Sequence, residues 1–137
     1  MINIFVNIQS ARKDVITFLR ELKTLLEKED FNVDIDLTLI QKNKKGDNIY
    51  YSTPYTLVDL EYDVEDVVDR LKELKLEEYS ETKIDRDDSR PPLLFVFGKN
   101  INNRLVYIKL KIKEKHKKHV VCVSFHYAKE KMTFPYT

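Results

Sequence analysis

The stretch that decides the fold is "RLVYIKLKIKEKHKKHVVCVSFHY", residues 104–127. Apolar and polar side chains alternate along "RLVYIKLKIKE", so this segment reads as a long strand with one apolar face. "KHKK", residues 115–118, reads as a turn, and "HVVCVSFHY" reads as the returning strand. If the turn pairs Lys115 with Lys118, Ile108 faces Phe125, Leu110 faces Val123 and Ile112 faces Val121. The other face then pairs Tyr107 with His126, Lys109 with Ser124 and Lys111 with Cys122. A slip of one residue would drive lysines into the core, so the parity is strongly specified.

Outward from this hairpin, "LLFVF" (93–97) reads as a preceding strand and "GKNINN" (98–103) as the connection between them. Residues 2–8, "INIFVNI", suit a short strand. Ser10 is placed to cap a helix running to about Glu29, with Val15, Phe18, Leu19, Leu22, Leu25 and Leu26 at helical spacing. "FNVDIDLTLI" (31–40) alternates without interruption and predicts a half-buried strand. "QKNKKGDN" reads as a loop. Asp63 and Asp66 form a capping pair ahead of a second helix over about Val64–Leu74. "EEYSETKIDRDDSRPP" carries almost no apolar content and reads as a long, functional or unstructured loop. The expected architecture is one α+β domain over residues 1–137, two helices packed on one face of a small antiparallel sheet.

With 137 residues the chain is long enough to bury a core. No apolar run is long enough for a transmembrane helix, and the amino terminus does not read as a secretory signal. The single cysteine, Cys122, excludes an intramolecular disulfide, so a cytoplasmic setting is expected. The net charge of +1 conceals an asymmetry. Residues 57–90 carry 13 acidic and 6 basic side chains, whereas residues 99–131 carry 10 basic and 2 acidic. A segment this basic suits a polyanion, and equally suits an edge strand protected by lysines.

The polar face of the hairpin brings together His126, Tyr107, Lys109 and Lys111. These are parts from which RNA can be cut without a metal. A base takes the ribose 2′-hydroxyl proton, cations stabilise charge on the phosphorane, and an acid protonates the departing 5′-oxygen. The same histidine, at a strand end, also suits a purely structural role. Other chemistries lack their parts. One cysteine gives no zinc spacing, two glycines give no phosphate loop, and Asp85, Asp87 and Asp88 lack the pattern of a calcium loop.

The run "FVFGKNINNRLVYIKLKI…VVCVSFHYAKEKMTFPY", preceded by "DVEDVVDRLKELKLEEY", resembles the MqsR-type toxins of bacterial type II toxin–antitoxin systems, most clearly over residues 56–136. The resemblance implies a RelE-like fold, cofactor-free mRNA interferase activity and a cognate antitoxin as partner. It places Tyr107, in "VYIK", at the strand tyrosine of the family. His126, in "VSFH", falls where the best-known member has a lysine. Tyr79, in "EEY", matches an aromatic that a basic residue follows in that member, but Ser80 follows it here. An apolar residue of "LLFVF" stands where the family has a glutamine. Arg86, Arg90 or Lys99 would supply the missing charge.

On this reading His126, Tyr107, Lys109 and Tyr79 form the catalytic set. Lys111, Lys99, Arg86, Arg90 and Ser124 contact RNA, and Tyr127, Phe134 and Tyr136 stack on unpaired bases. The same aromatic tail would equally serve to close the fold. The alternative function is a non-catalytic module that binds nucleic acid or protein on the same scaffold.

Overall fold

The computed structural model describes residues 8–42, 46–85, 91–114 and 116–137. It is an α+β structure with helices α1 (Arg12–Leu26), α2 (Val33–Asp36), α3 (Thr53–Leu60) and α4 (Val64–Lys72). The strands are β1 (Leu37–Leu39), β2 (Tyr79–Lys83), β3 (Leu94–Ile101), β4 (Arg104–Glu114) and β5 (Lys118–Tyr127). They form one sheet in the order β1-β5-β4-β3-β2, antiparallel except for the parallel pair β1 and β5. The sheet is therefore mixed, and the described residues hold four α-helices where two were expected. Among them no helix is long and apolar enough to cross a membrane.

One face of the sheet carries the core. Ile108, Leu110 and Val106 of β4 and Phe125 and Val120 of β5 are fully buried there. Val15, Leu22, Leu25 and Leu26 of α1, Leu57 of α3, and Val67, Val68 and Leu71 of α4 join the same cluster. Fully burying each such side chain stabilises the fold by about 1.5–3 kcal/mol.

α4 begins as its sequence predicts. Asp66 N donates to Asp63 Oδ1 and Asp63 N donates to Asp66 Oδ2, both at 3.0 Å. α1 does not begin at a Ser10 cap. Ser10 Oγ lies 2.7 Å from Thr82 Oγ1, so its hydroxyl serves a link to β2, and Ala11 occupies the cap position. α3 was missed, although Ser52 caps it by accepting from Tyr55 N at 3.2 Å and Pro54 stands in its first turn. Its Thr53 and Thr56 hydroxyls accept from Phe125 N and Tyr127 N, which satisfies the edge of β5 beyond its pairing with β1.

The alternation of residues 31–40 misleads. Asn32 Oδ1 accepts from Asp34 N and Asp36 Oδ2 accepts from Asn32 N, each at 2.9 Å. These local bonds wind residues 33–36 into one helical turn and leave only Leu37–Leu39 extended. Ile35 is consequently exposed, and Asp36 is buried against Lys117 at 3.0 Å.

The β4–β5 pairing follows the expected register over only part of its length. Tyr107 pairs with His126, Ile108 with Phe125 and Lys109 with Ser124. Beyond a bulge, Leu110 pairs with Cys122, Lys111 with Val121 and Glu114 with Lys118. The hairpin closes one residue earlier than expected, and Val123 is the residue expelled in compensation. Cys122 and Val120 therefore face the core, fully buried, and Val121 shares the side of Lys111. Burial pushes the Cys122 thiol up to about 12. The expected connection "GKNINN" also shortens. Gly98–Ile101 belong to β3, and Asn102 and Asn103, with φ of 53° and 66°, make the two-residue turn.

Candidate functional site on the far face of the sheet

The face turned away from the helices carries the chemistry. Cross-strand pairing lays out one row as Glu81, Val96, Lys109 and Ser124, and the next as Gly98, Tyr107 and His126. The Tyr107 and His126 rings stack with centroids 5.2 Å apart and planes 16° from parallel. Lys109 Nζ lies 5.9 Å and Lys83 Nζ 6.0 Å from the centre of the Tyr107 ring. One phenol ring is thus flanked by an imidazole and two ammonium groups.

His126 has a defined orientation. Its Nδ1 donates to the Tyr127 carbonyl at 2.9 Å, which leaves Nε2 as the atom that exchanges protons. Burial lowers the pKa of His126. The Tyr127 carbonyl opposes this by favouring the charged ring, and the nearby Lys109 charge adds to the lowering. For Tyr107, burial and then the Glu81 carboxylate push the phenol up to about 12, so it remains protonated at neutral pH.

The other residues singled out in the sequence are distributed more widely. Ser124 is buried beside Lys109, on the same face. Lys111 is only 2% exposed and forms an ion pair of 2.9 Å with Asp85, so its charge is already compensated. Lys99 lies on the helix side, opposite Val106, and pairs with Glu78 at 3.2 Å and Glu73 at 3.8 Å. Tyr79 is fully buried on that same side. Its hydroxyl lies 2.7 Å from Thr82 Oγ1 and accepts from Ser10 N at 2.8 Å, which removes it from any catalytic set.

Tyr127 also belongs to the core. Its hydroxyl donates to Asp59 at 2.5 Å, and the Arg104 guanidinium lies 3.4 Å from its ring centre. It does not present a face to a base. Arg86 and Arg90 lie outside the described residues.

The aromatic tail is folded onto the sheet. Ala128 N donates to Leu105 O on β4. Met132 and Phe134 then pass over Gly98 on β3, and Tyr136 reaches β2, stacking on Tyr79 at 5.8 Å. The Tyr136 hydroxyl donates to Ser10 O at 2.6 Å and accepts from Gln9 Nε2 at 3.3 Å. A Cβ on Gly98 would come within 2.8 Å of Phe134 Cζ and 2.9 Å of Met132 Sδ. The tail therefore passes directly beside the row of Tyr107 and His126, and the missing side chain of Gly98 makes room for it.

Two members of this face, Glu81 and Lys83, were not singled out in the sequence. They sit in the segment read as a loop, whose short strand is built by pairing with β3 and not by any apolar alternation of its own. A further contact, the antiparallel bridge between Ile8 and Thr82, covers the outer edge of that strand. No protein-family model, curated protein or solved structure matches the chain.

Proposed function

We propose that the chain is an endoribonuclease that cuts mRNA by attack of the ribose 2′-hydroxyl, acting as the toxin of a toxin–antitoxin pair. The observation that carries this reading is the stacked Tyr107–His126 pair flanked by Lys109 and Lys83, on a sheet face that the helices leave uncovered. His126 Nε2 supplies the proton-transfer group, and the two ammonium groups stabilise the charge that grows on the phosphorane. Tyr107, held protonated, donates a hydrogen bond to a phosphate oxygen. The resemblance of residues 56–136 to MqsR-type toxins supports the same activity and a RelE-like arrangement. It also supports a cognate antitoxin that would block this face.

A second reading, a binding module without catalysis, is favoured by one group of observations. Lys111 and Lys99 are held in ion pairs and Tyr79 is buried, so the face carries fewer accessible groups than the sequence implied. One experiment separates the two. End-labelled RNA is incubated with the purified chain in EDTA and its fragment ends are analysed. Nuclease action yields fragments ending in 2′,3′-cyclic phosphate, and the product is lost in His126→Ala and strongly reduced in Tyr107→Phe. Binding that weakens with salt, with intact RNA throughout, favours the module instead.

A further inference from the structure

Glu81 is a charged group that β2 places on the far face. In a regular strand Tyr79, Glu81 and Lys83 would share a side, and Tyr79 faces the core. A bulge between Tyr79 and Glu81 breaks that alternation. Thr82, paired with Phe95, joins Tyr79 on the core side, while Glu81, paired with Val96, turns to the side of Lys109. Bulges recur where a side chain is re-aimed beside an active site. One oxygen of the re-aimed carboxylate, Oε1, is buried without a hydrogen-bond partner among the described residues. Leaving an acceptor in that condition costs about 1–3 kcal/mol.

The remaining groups on this face define what such a carboxylate would meet. β2 contributes Glu81 and Lys83, β4 contributes Tyr107 and Lys109, and β5 contributes Ser124 and His126. β3 contributes Leu94, Val96 and Gly98 here, the tail contributes Met132 and Phe134, and Lys111 is paired with Asp85. Glu81 and His126 stand on strands three spacings apart, with the Tyr107 ring between them. Three spacings of about 4.8 Å and an offset of two residues, about 3.4 Å each, along the strands set their backbones roughly 16 Å apart, a span that two side chains and one phosphodiester fill.

We propose that Glu81 and His126 are the base and acid of one reaction, Glu81 taking the proton of the attacking 2′-hydroxyl and His126 giving one to the departing 5′-oxygen. This rests on the ribonuclease reading above. The 2′-oxygen forms its bond to phosphorus as its proton passes to the Glu81 carboxylate. The bond from phosphorus to the 5′-oxygen breaks as that oxygen takes the Nε2 proton of the His126 imidazolium. The products are a 2′,3′-cyclic phosphate and a 5′-hydroxyl, and solvent returns the proton from Glu81 to His126.

The test is the pH dependence of kcat/KM for the full-length chain acting on a single-stranded RNA oligonucleotide in EDTA. The wild type follows a bell, with an acidic limb where the base is protonated and an alkaline limb where His126 loses its proton, the alkaline midpoint lying below the usual histidine value of 6.5. Glu81→Gln lowers the rate by about 10²–10⁴-fold and removes the acidic limb. Glu81→Asp keeps the acidic limb at a reduced rate, and this variant carries the test if the glutamine variant does not fold. Wild-type cleavage with an unchanged rate and acidic limb in Glu81→Gln, or an unchanged rate in Glu81→Asp, overturns the assignment and leaves the nuclease reading intact. Absence of wild-type cleavage at every pH overturns both.

Discussion

Placing a methyl group at Gly98 tests how the tail is held. In Gly98→Ala the new Cβ would approach Phe134 Cζ to 2.8 Å and Met132 Sδ to 2.9 Å, closer than packed atoms tolerate. Two responses are available to the chain. Keeping the tail in place costs about 1–3 kcal/mol of overpacking. Releasing it forfeits the Tyr136–Tyr79 stack, worth about 0.5–1.5 kcal/mol, and the bond from the Tyr136 hydroxyl to Ser10 O, worth about 1 kcal/mol. The cheaper route sets the loss, so full-length Gly98→Ala is expected to lose about 2 kcal/mol in urea unfolding.

The contact is isolated by repeating the substitution in a chain truncated after Lys131, which lacks Met132, Phe134 and Tyr136. There the methyl meets no tail, and the cost should fall to a few tenths of a kcal/mol or become a slight gain, because alanine constrains the unfolded chain. The coupling between the two changes is therefore about 1.5–2 kcal/mol in a double-mutant cycle. Equal destabilisation by Gly98→Ala in the full-length and truncated chains would refute the reasoning, since the penalty would then lie in β3 and not in the tail.

Lys111→Met should cost about 3–5 kcal/mol by removing the buried cation of the pair with Asp85, whereas the double change with Asp85→Leu should recover most of that loss in thermal or urea unfolding. Recovery confined to a small fraction would mean that the pair specifies the local structure by more than its charge. Asp36 supplies a pH test. The Asn32 backbone N–H, then Lys117, holds its carboxyl below the usual 3.8, so its contribution to stability is complete above that value and disappears as pH falls through the lowered one. The stability gap between wild type and Asp36→Asn should accordingly narrow on acidification below pH 3.8, and a gap independent of pH would show that the carboxylate charge plays no part.

Much of the site was legible because strand alternation is a local property. The apolar residues Ile108 and Phe125 must face the core together, and that requirement alone sets Tyr107 opposite His126 and Lys109 opposite Ser124. The capping box of α4 was legible for the same reason, since Asp63 and Asp66 satisfy each other within one turn. Tyr79 was singled out from the resemblance and Lys99 as a substitute charge, and neither ground says which side of the sheet a residue occupies. Their sides follow from pairing with Phe97 and Val106.

The sequence by itself determined the long hairpin, the pairing of Tyr107 with His126 and the amphipathic helices α1 and α4, because each rests on periodicity within a short segment. The tertiary structure alone decided the two bulges, the course of the tail and the company of Glu81. The bulge at Val123 returns Cys122 to the core, and the bulge at Ser80 sends Glu81 out of it. Both depend on hydrogen bonding to a neighbouring strand, and the position of the tail depends on the space over Gly98. These are contacts between residues far apart in the chain, whose energies no local pattern of side chains encodes.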